Sequence, residues 1–462
     1  MQKYENNCTF VHMTDLAIIG GGPAGYTAAE KAASAGLEVT LFEDRALGGV
    51  CLNEGCIPTK TMLYSAKLYD QARHSEKYGI NTEATSFDYA TILKRKTKVI
   101  RKLGGGIKVR MRNAGVTVVE ARAEICGRTE GGFTIKAAEQ TVEARNILVC
   151  TGSQAVIPPI PGLDASSILT NREILELQEV PQRLTILGGG VIGMEFASLM
   201  NSLGSKVTVI EMQPEILAGI DPEISAMLRN IYTSKGVEFH LGSKVTAIEG
   251  DTVAYLTPEG ETARTEPGKI LLSVGRRANI KGIGLENLGI ECGRGINTDS
   301  HMRTNIPGVY AAGDVTGFSQ LAHTAIREAE VAVDNILGKD TEMKYDAIPG
   351  VVYTNPEVAG VGLTESQAAA DGQEISVARL PMQYSGRFVA ENEAGEGICK
   401  MIFDPHTRRL LGVHMMGNPC SEIIPSACIA ITNGLTAEDF ARTVLPHPSV
   451  SEILKETASC LK

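Results

Sequence analysis

Apolar residues at 16–19 run unbroken into Gly20-Gly21-Gly22-Pro23-Ala24-Gly25, and an alanine-rich stretch follows as far as Gly36. A short apolar run ending in a turn signal predicts a buried strand, and the stretch after it predicts a helix closed by its glycine. A second apolar run at 39–42 predicts the next strand, with Glu43 at its end. The same text returns at 184–187, Gly188-Gly189-Gly190-Val191-Ile192-Gly193, Gly204, 207–210 and Glu211. In both copies the closing glycine follows the first by 16 positions and the acid follows it by 23. One G-x-G-x-x-G is weak evidence, whereas two strand–turn–helix–strand–acid units in matching register predict two dinucleotide-binding βαβ units.

Each residue type in the unit has a physical task. The first glycine (Gly20, Gly188) takes a tight turn. The second (Gly22, Gly190) lets a pyrophosphate approach the backbone, and the third (Gly25, Gly193) lets helix and strand pack closely. The N–H groups and dipole of the helix N-terminus hold the diphosphate, while Glu43 or Glu211 accepts the adenosine ribose hydroxyls. After Glu211, Met212-Gln213-Pro214 offers no arginine for a ribose 2′-phosphate, which the carboxylate would repel, so this unit is expected to take NAD and not NADP. Further on, Gly308-Val309-Tyr310-Ala311-Ala312-Gly313-Asp314 reads as a strand entering a glycine turn. Asp314 is placed there to meet the polyol hydroxyls of a long cofactor; an ordinary β-turn is the alternative.

Between the repeats, 147–150 predicts a strand ended by Thr151-Gly152-Ser153, and the proline-rich 157–162 is the best candidate linker. The pattern recurs where 271–274 runs into Gly275-Arg276. Beyond about 345 the texture changes. Residues 398–403, a turn at Asp404-Pro405-His406-Thr407, and 410–416 predict a hairpin, with helices over 421–433 and 436–442. This makes a separate α+β region without a nucleotide signature. The basic stretch from Lys94 to Lys102 has Val99, Ile100 and Leu103 at helical spacing. It reads first as the solvated face of an amphipathic helix, and second as a docking surface for an acidic carrier.

Between the first βαβ unit and the rest lies Gly-Gly-Val-Cys-Leu-Asn-Glu-Gly-Cys-Ile-Pro-Thr-Lys, with Cys51 and Cys56 separated by four residues. That spacing lets the sulfurs close a small ring. Directly after a dinucleotide unit the pair reads as a redox disulfide and not a structural staple; two inert buried thiols are the alternative. The other eight of ten cysteines are scattered, with no C-x-x-C and no histidine at ligand spacing, so no metal site is indicated. A net charge of −10 argues against nucleic-acid or anionic-membrane partners. No apolar run approaches the length of a membrane span, and residues 1–12 lack a secretory pattern and read as a loose tail. The cytoplasm is the expected location.

Taken together, these residues resemble the FAD-dependent pyridine nucleotide–disulfide oxidoreductases over residues 15–457, in particular the branch that oxidises dihydrolipoamide. The likeness rests on both glycine fingerprints with their acids, the GGxCLNxGCIPxK stretch, Thr151-Gly152, the AAGD segment and a C-terminal His-Pro-Ser-x-Ser-Glu. It implies an α/β chain of two Rossmann-like domains, for FAD and NAD, and a C-terminal α+β interface domain that forms a homodimer. The segments implied are 1–148 (FAD, first part), 149–274 (NAD), 275–344 (central, completing the FAD site) and 345–462 (dimerisation). Thr151, Gly152, Lys60 and Asp314 would join Gly20, Gly22, Gly25 and Glu43 at FAD. Gly275 would join Gly188, Gly190, Gly193 and Glu211 at NAD.

The resemblance also implies catalytic roles. Cys56 matches the sulfur beside the flavin and Cys51 the one that exchanges with substrate. Lys60 and Glu195 match an ion pair beside flavin and nicotinamide. His447 matches the base, oriented by Glu452 and reaching the site from the other subunit. Ser449-Val450-Ser451-Glu452 also reads as a capping box, a competing task for Glu452. The implied partner is a lipoyl-bearing carrier of a 2-oxo-acid dehydrogenase or glycine-cleavage system. There are departures: Leu445 stands where relatives commonly carry a second histidine, and the C-terminus has one cysteine where some branches have two. The alternatives are a glutathione- or mycothiol-type reductase and a non-catalytic flavoprotein subunit.

Overall fold

The computed structural model describes residues 12–164, 168–392 and 395–461. The tail expected over 1–12, with Cys8, lies outside these residues apart from the backbone of His12. The chain packs as two compact units. One comprises residues up to 58, 97–156 and 276–344; the other comprises 59–96, 157–275 and residues from 345 onward.

In the first unit, strands are ordered Thr117–Val119, Val39–Phe42, His12–Ile19, Gln140–Val149, Phe133–Ala137, Ala123–Arg128, and Val309–Ala311 also pairs with Gln140–Val149. The strands at 12–19, 39–42, 117–119 and 309–311 join by parallel ladders. Leu16, Ala17, Ile18 and Leu41 are completely buried, which is why this part reads as continuous apolar runs without alternation. The run expected at 147–150 is the end of a ten-residue strand whose first half turns antiparallel toward Phe133–Ala137. Pairing of Val309–Ala311 with that strand's last residues brings the Asp314 turn to the end of the same sheet.

The second unit has its own parallel sheet, Glu238–His240, Lys206–Ile210, Arg183–Leu187 and Lys269–Leu272. Its five-stranded antiparallel sheet is ordered Gly350–Val352, Val358–Gly362, Leu410–Met416, Ile398–Phe403, Ser376–Pro381. The hairpin at 398–416 forms as expected, and helices Cys420–Thr432, Ala437–Arg442 and Glu452–Ser459 share a core with it. Thr436 and Asp439 close a reciprocal capping box on the middle helix. Residues 59–96 pack with this unit: Met62, Leu63, Ala66, Tyr89 and Ile92 share a core with Leu184, Met194 and Phe196. The basic stretch is not uniformly solvated. Lys96 is 2% exposed; its ammonium donates to the Leu175 carbonyl and lies 2.7 Å from Glu176. Among the described residues, no helix is long and apolar enough to cross a membrane.

Candidate active site

The two glycine turns are built alike. Gly20 has φ +108° and Gly188 φ +102°, conformations that suit glycine. A Cβ on Gly25 would lie 1.8 Å from the Gly20 carbonyl oxygen, and one on Gly193 2.1 Å from that of Gly188. The third glycine therefore sets how closely helix and turn pack. The second glycine differs: a Cβ on Gly190 would meet nothing within 4 Å, and one on Gly22 only the Gly49 Cα at 3.8 Å. Space is left open in front of each helix N-terminus, as a diphosphate requires. Glu43 Oε2 accepts the Gly21 N–H at 2.7 Å, and Glu211 Oε2 accepts that of Gly189 at 2.6 Å. The residues present fit two dinucleotides.

In the first unit the disulfide segment is bolted to its glycine turn. The Gly48 N–H donates to the Gly21 carbonyl at 2.8 Å, and a Cβ on Gly49 would lie 2.7 Å from the Gly22 Cα. A six-residue helix, Gly49–Glu54, carries Cys51; the helix Cys56–Arg73 begins with its mate. Cys51 and Cys56 are disulfide-bonded with their Cα atoms 4.7 Å apart. Asn53, not singled out from the sequence, stiffens the ring: its side-chain amide donates to the carbonyls of Gly49 at 2.9 Å and Leu47 at 3.2 Å. Cys399 and Cys420, by contrast, are buried; burial pushes the Cys399 thiol up to about 12 and that of Cys420 well above its usual range. Thiols held protonated are poor nucleophiles.

At the same end of the sheet as the Gly20 turn, Asp314 accepts a hydrogen bond from the Ser153 hydroxyl, and Ser153 Oγ accepts one from Arg276 Nε at 2.8 Å. Burial pushes the Asp314 carboxyl up, opposed by Ser153 and Arg276; burial likewise lowers the Arg276 guanidinium. Thr151 and Asn279 exchange two hydrogen bonds, the Thr151 hydroxyl to the Asn279 carbonyl at 2.7 Å and the Asn279 amide to the Thr151 carbonyl at 2.9 Å. Ser153, Arg276 and Asn279 escaped the sequence reading because each partner lies more than a hundred positions away.

In the second unit, Lys60 Nζ donates to both oxygens of Glu195, at 2.8 and 2.7 Å, and Glu195 is 3% exposed. The family resemblance implied this pair. It did not reveal Tyr353, whose N–H donates to Glu195 Oε1 at 3.1 Å and whose ring centre lies 4.7 Å from Lys60 Nζ. His447 Nδ1 lies 3.0 Å from Glu452 Oε1, while Glu452 Oε2 accepts the Ser449 N–H at 2.8 Å. Glu452 thus meets His447 and the Ser449 N–H with different oxygens, and the Ser449 N–H and His447 hold its carboxyl below the usual range. The expected capping box does not close: Ser451 is the helix N-cap, and the Ser449 hydroxyl meets Ser451 at 3.1 Å in place of a helix N–H. The His447 side chain is 80% exposed. Gly275, at φ +119°, lies two residues past Ser273, which directly follows the strand Lys269–Leu272 and whose hydroxyl donates to the Gly188 carbonyl at 2.9 Å.

Residues 14–329 match the family model for pyridine nucleotide-disulphide oxidoreductases, and 348–458 the model for the dimerisation domain of the same oxidoreductases. The chain is 40% identical over 453 residues to a dihydrolipoyl dehydrogenase of Chlamydia muridarum, covering 96% of each. It is 35% identical over 460 residues to one of Bacillus subtilis, covering 96% of this chain and 97% of that one. Among solved structures, LpdA from Mycobacterium tuberculosis superposes with a TM-score of 0.88 at 28% identity, covering 97% of this chain and 99% of that one. The HOCl-induced flavoprotein disulfide reductase RclA from Escherichia coli superposes with a TM-score of 0.85 at 29% identity, covering 97% and 100%.

Proposed function

Since the chain belongs to the pyridine nucleotide-disulphide oxidoreductases, we propose that it is an NAD-dependent dihydrolipoyl dehydrogenase that reoxidises carrier-bound dihydrolipoamide through Cys51 and Cys56. The observation that carries this reading is the attachment of the disulfide segment to the first glycine turn by Gly48 and Gly49. A structural staple has no need to sit beside a dinucleotide cradle. Gly20, Gly22, Gly25, Glu43, Thr151, Gly152, Lys60 and Asp314 would hold FAD, which when bound would supply the two-electron relay between the dithiol and NAD⁺. Gly188, Gly190, Gly193, Glu211 and Gly275 would hold NAD.

The protein's own groups manage the thiols. His447 takes a proton from the dihydrolipoyl thiol, because the thiolate is the form that attacks a disulfide. Glu452 fixes the ring through Nδ1, leaving Nε2 to do this work. The substrate thiolate attacks Cys51 Sγ, the Cys51–Cys56 bond breaks, and Cys56 leaves as a thiolate. The second substrate thiol then displaces Cys51, so the product is the cyclic disulfide and the enzyme holds two reduced sulfurs. Lys60 and Glu195 form a fixed ion pair, braced by Tyr353, whose proposed role is to meet flavin and nicotinamide when these are bound. We assign the active unit to a homodimer in which His447 and Glu452 serve the partner's disulfide, supported by the match of residues 348–458 to a dimerisation domain. The carrier is a lipoyl-bearing protein and the location the cytoplasm.

Cys51→Ser and Cys56→Ser test this directly. Each should abolish dihydrolipoamide oxidation, by at least about a thousandfold, while FAD stays bound. Residual turnover near that of the native enzyme in either variant would reject the mechanism. A reductase of the glutathione or mycothiol type would use the same disulfide with NADPH; the Glu211 carboxylate stands against it, and turnover of those disulfides with NADPH would reverse the assignment.

A further inference from the structure

The helix Tyr89–Asn113 holds nine lysines and arginines and no acidic residue, in a chain whose net charge is −10. Some of these cations have internal work: Lys96 is buried on Leu175 and Glu176, and Arg110 pairs with Glu30. Others do not. Lys98, Arg101, Lys108 and Arg112 are exposed, and with Gly105 they recur every three or four residues, one stripe along the helix. Lys108 reaches the exposed Glu120 at 3.3 Å, whereas Lys98, Arg101 and Arg112 form no ion pair among the described residues.

The stripe is interrupted by Gly104-Gly105-Gly106, three glycines inside a helix. Glycine in a helix interior destabilises it relative to alanine. None of the described residues requires it here: Cβ atoms on Gly105 and Gly106 would meet nothing within 4 Å, and one on Gly104 only Leu52 Cδ2 at 3.8 Å. Leu52 precedes Asn53 and follows Cys51 in the chain, so the bare section of the helix packs beside the segment that carries the redox disulfide.

Resting on the dithiol-oxidising reading above, we propose that this stripe is the docking surface for an acidic carrier domain that brings its dithiol to Cys51. Lys98 and Arg101 on one side of the glycines, and Lys108 and Arg112 on the other, attract the carrier. The missing side chains let its backbone come close where the tethered dithiol must enter. Exposed charges of this kind raise encounter rates and are screened by salt.

The test uses the holoenzyme with two substrates, an isolated acidic lipoyl domain bearing dihydrolipoyl-lysine and free dihydrolipoamide. The readout is the ratio of their kcat/KM values from about 0.01 to about 1 M salt, where the Debye length falls from about 30 to about 3 Å. For the native enzyme the ratio should fall about tenfold across that range. The double variant Lys98→Glu, Arg101→Glu should lower it about tenfold at low salt and flatten its salt dependence. Gly105→Glu should lower it too without lowering Tm, because glutamate is the better helix former. A ratio that ignores salt, or that neither variant changes while free dihydrolipoamide turns over normally, overturns the docking surface alone. Failure of the native enzyme to oxidise free dihydrolipoamide overturns the functional reading and the docking with it.

Discussion

Glu43 and Glu211 each divide their two oxygens in the same way. One accepts from the glycine turn, as the site geometry shows. The other accepts from the loop that follows: Glu43 Oε1 from the Arg45 N–H at 2.9 Å, Glu211 Oε1 from the Gln213 N–H at 2.8 Å. The carboxylate is therefore aimed before a ribose arrives, and little ordering remains to be done on binding. At the proposed NAD site the Glu211 charge would also repel a 2′-phosphate. Glu211→Gln removes the charge and presents an amide donor to one of two backbone donors. A charge-assisted hydrogen bond contributes about 1.5–3 kcal/mol, so kcat/KM for NAD⁺ should fall about 10- to 100-fold, with a smaller loss for NADP⁺. Equal losses for both coenzymes would show that Glu211 holds only the loop.

Elements depend on groups whose purpose no local pattern announces. Lys400, in the strand Ile398–Phe403, is 2% exposed, and its ammonium lies 2.8 Å from Asp221, 2.7 Å from Glu223 and 2.8 Å from Glu365. Asp221 also caps the helix Pro222–Ser234, accepting from the N–H groups of Glu223 and Ile224. Arg379 adds a second cation against Glu365 at 2.6 Å, and the nearby His414 is pushed down by burial and so stays neutral. Burial works against ionisation of Glu365, but Lys400 and Arg379 outweigh it and hold the carboxyl below its usual value; burial works against Lys400 too, and the carboxylates raise it. A lowered carboxyl contributes stability present above its unfolded pKa and lost as pH falls through the folded one. Lys400→Met leaves three carboxylates crowded without their shared cation, at a cost of about 3–5 kcal/mol near pH 7. Protonation relieves that crowding, so the Tm gap between native and variant should close as pH drops toward about 4. A gap that stays constant with pH would mean that lost packing, not charge, is responsible. The glycine turns, their acids and the cysteine pair were legible in the sequence because each is a local text with fixed spacing. Lys96, Lys400, Ser153 and Tyr353 were not, because their partners come from distant segments. A lysine in an otherwise solvated or apolar stretch gives no sign of which carboxylates will close around it. The grouping of residues 59–96 with the second unit escaped for the same reason: the apolar face of that segment shows that it packs, not on what.

At the scale of the whole molecule the match of residues 348–458 to a dimerisation domain makes another copy of the chain the partner to test. In the proposed reading His447 and Glu452 are a base and its orienting acid; the two lie 3.0 Å apart and the imidazole is largely exposed, which leaves it free to meet another chain. Our proposal that the pair serves the partner's Cys51 has a consequence no single-subunit site shares. Cys51→Ser and His447→Gln homodimers should each be inactive. When the two chains are co-expressed, a mixed dimer has one site with both lesions and one with neither. Random mixing of a C2 dimer then restores about a quarter of the native activity, carried entirely by the mixed species once the three dimers are separated by distinct affinity tags. If cysteine and histidine of each site belong to one chain, every site in the mixture carries one lesion and no activity returns. Recovery in the separated mixed dimer, at about half the native rate per dimer, also distinguishes sharing from simple stabilisation of one damaged chain by another. Stabilisation would raise activity in the parent homodimers at higher protein concentration, where a shared site leaves them at zero.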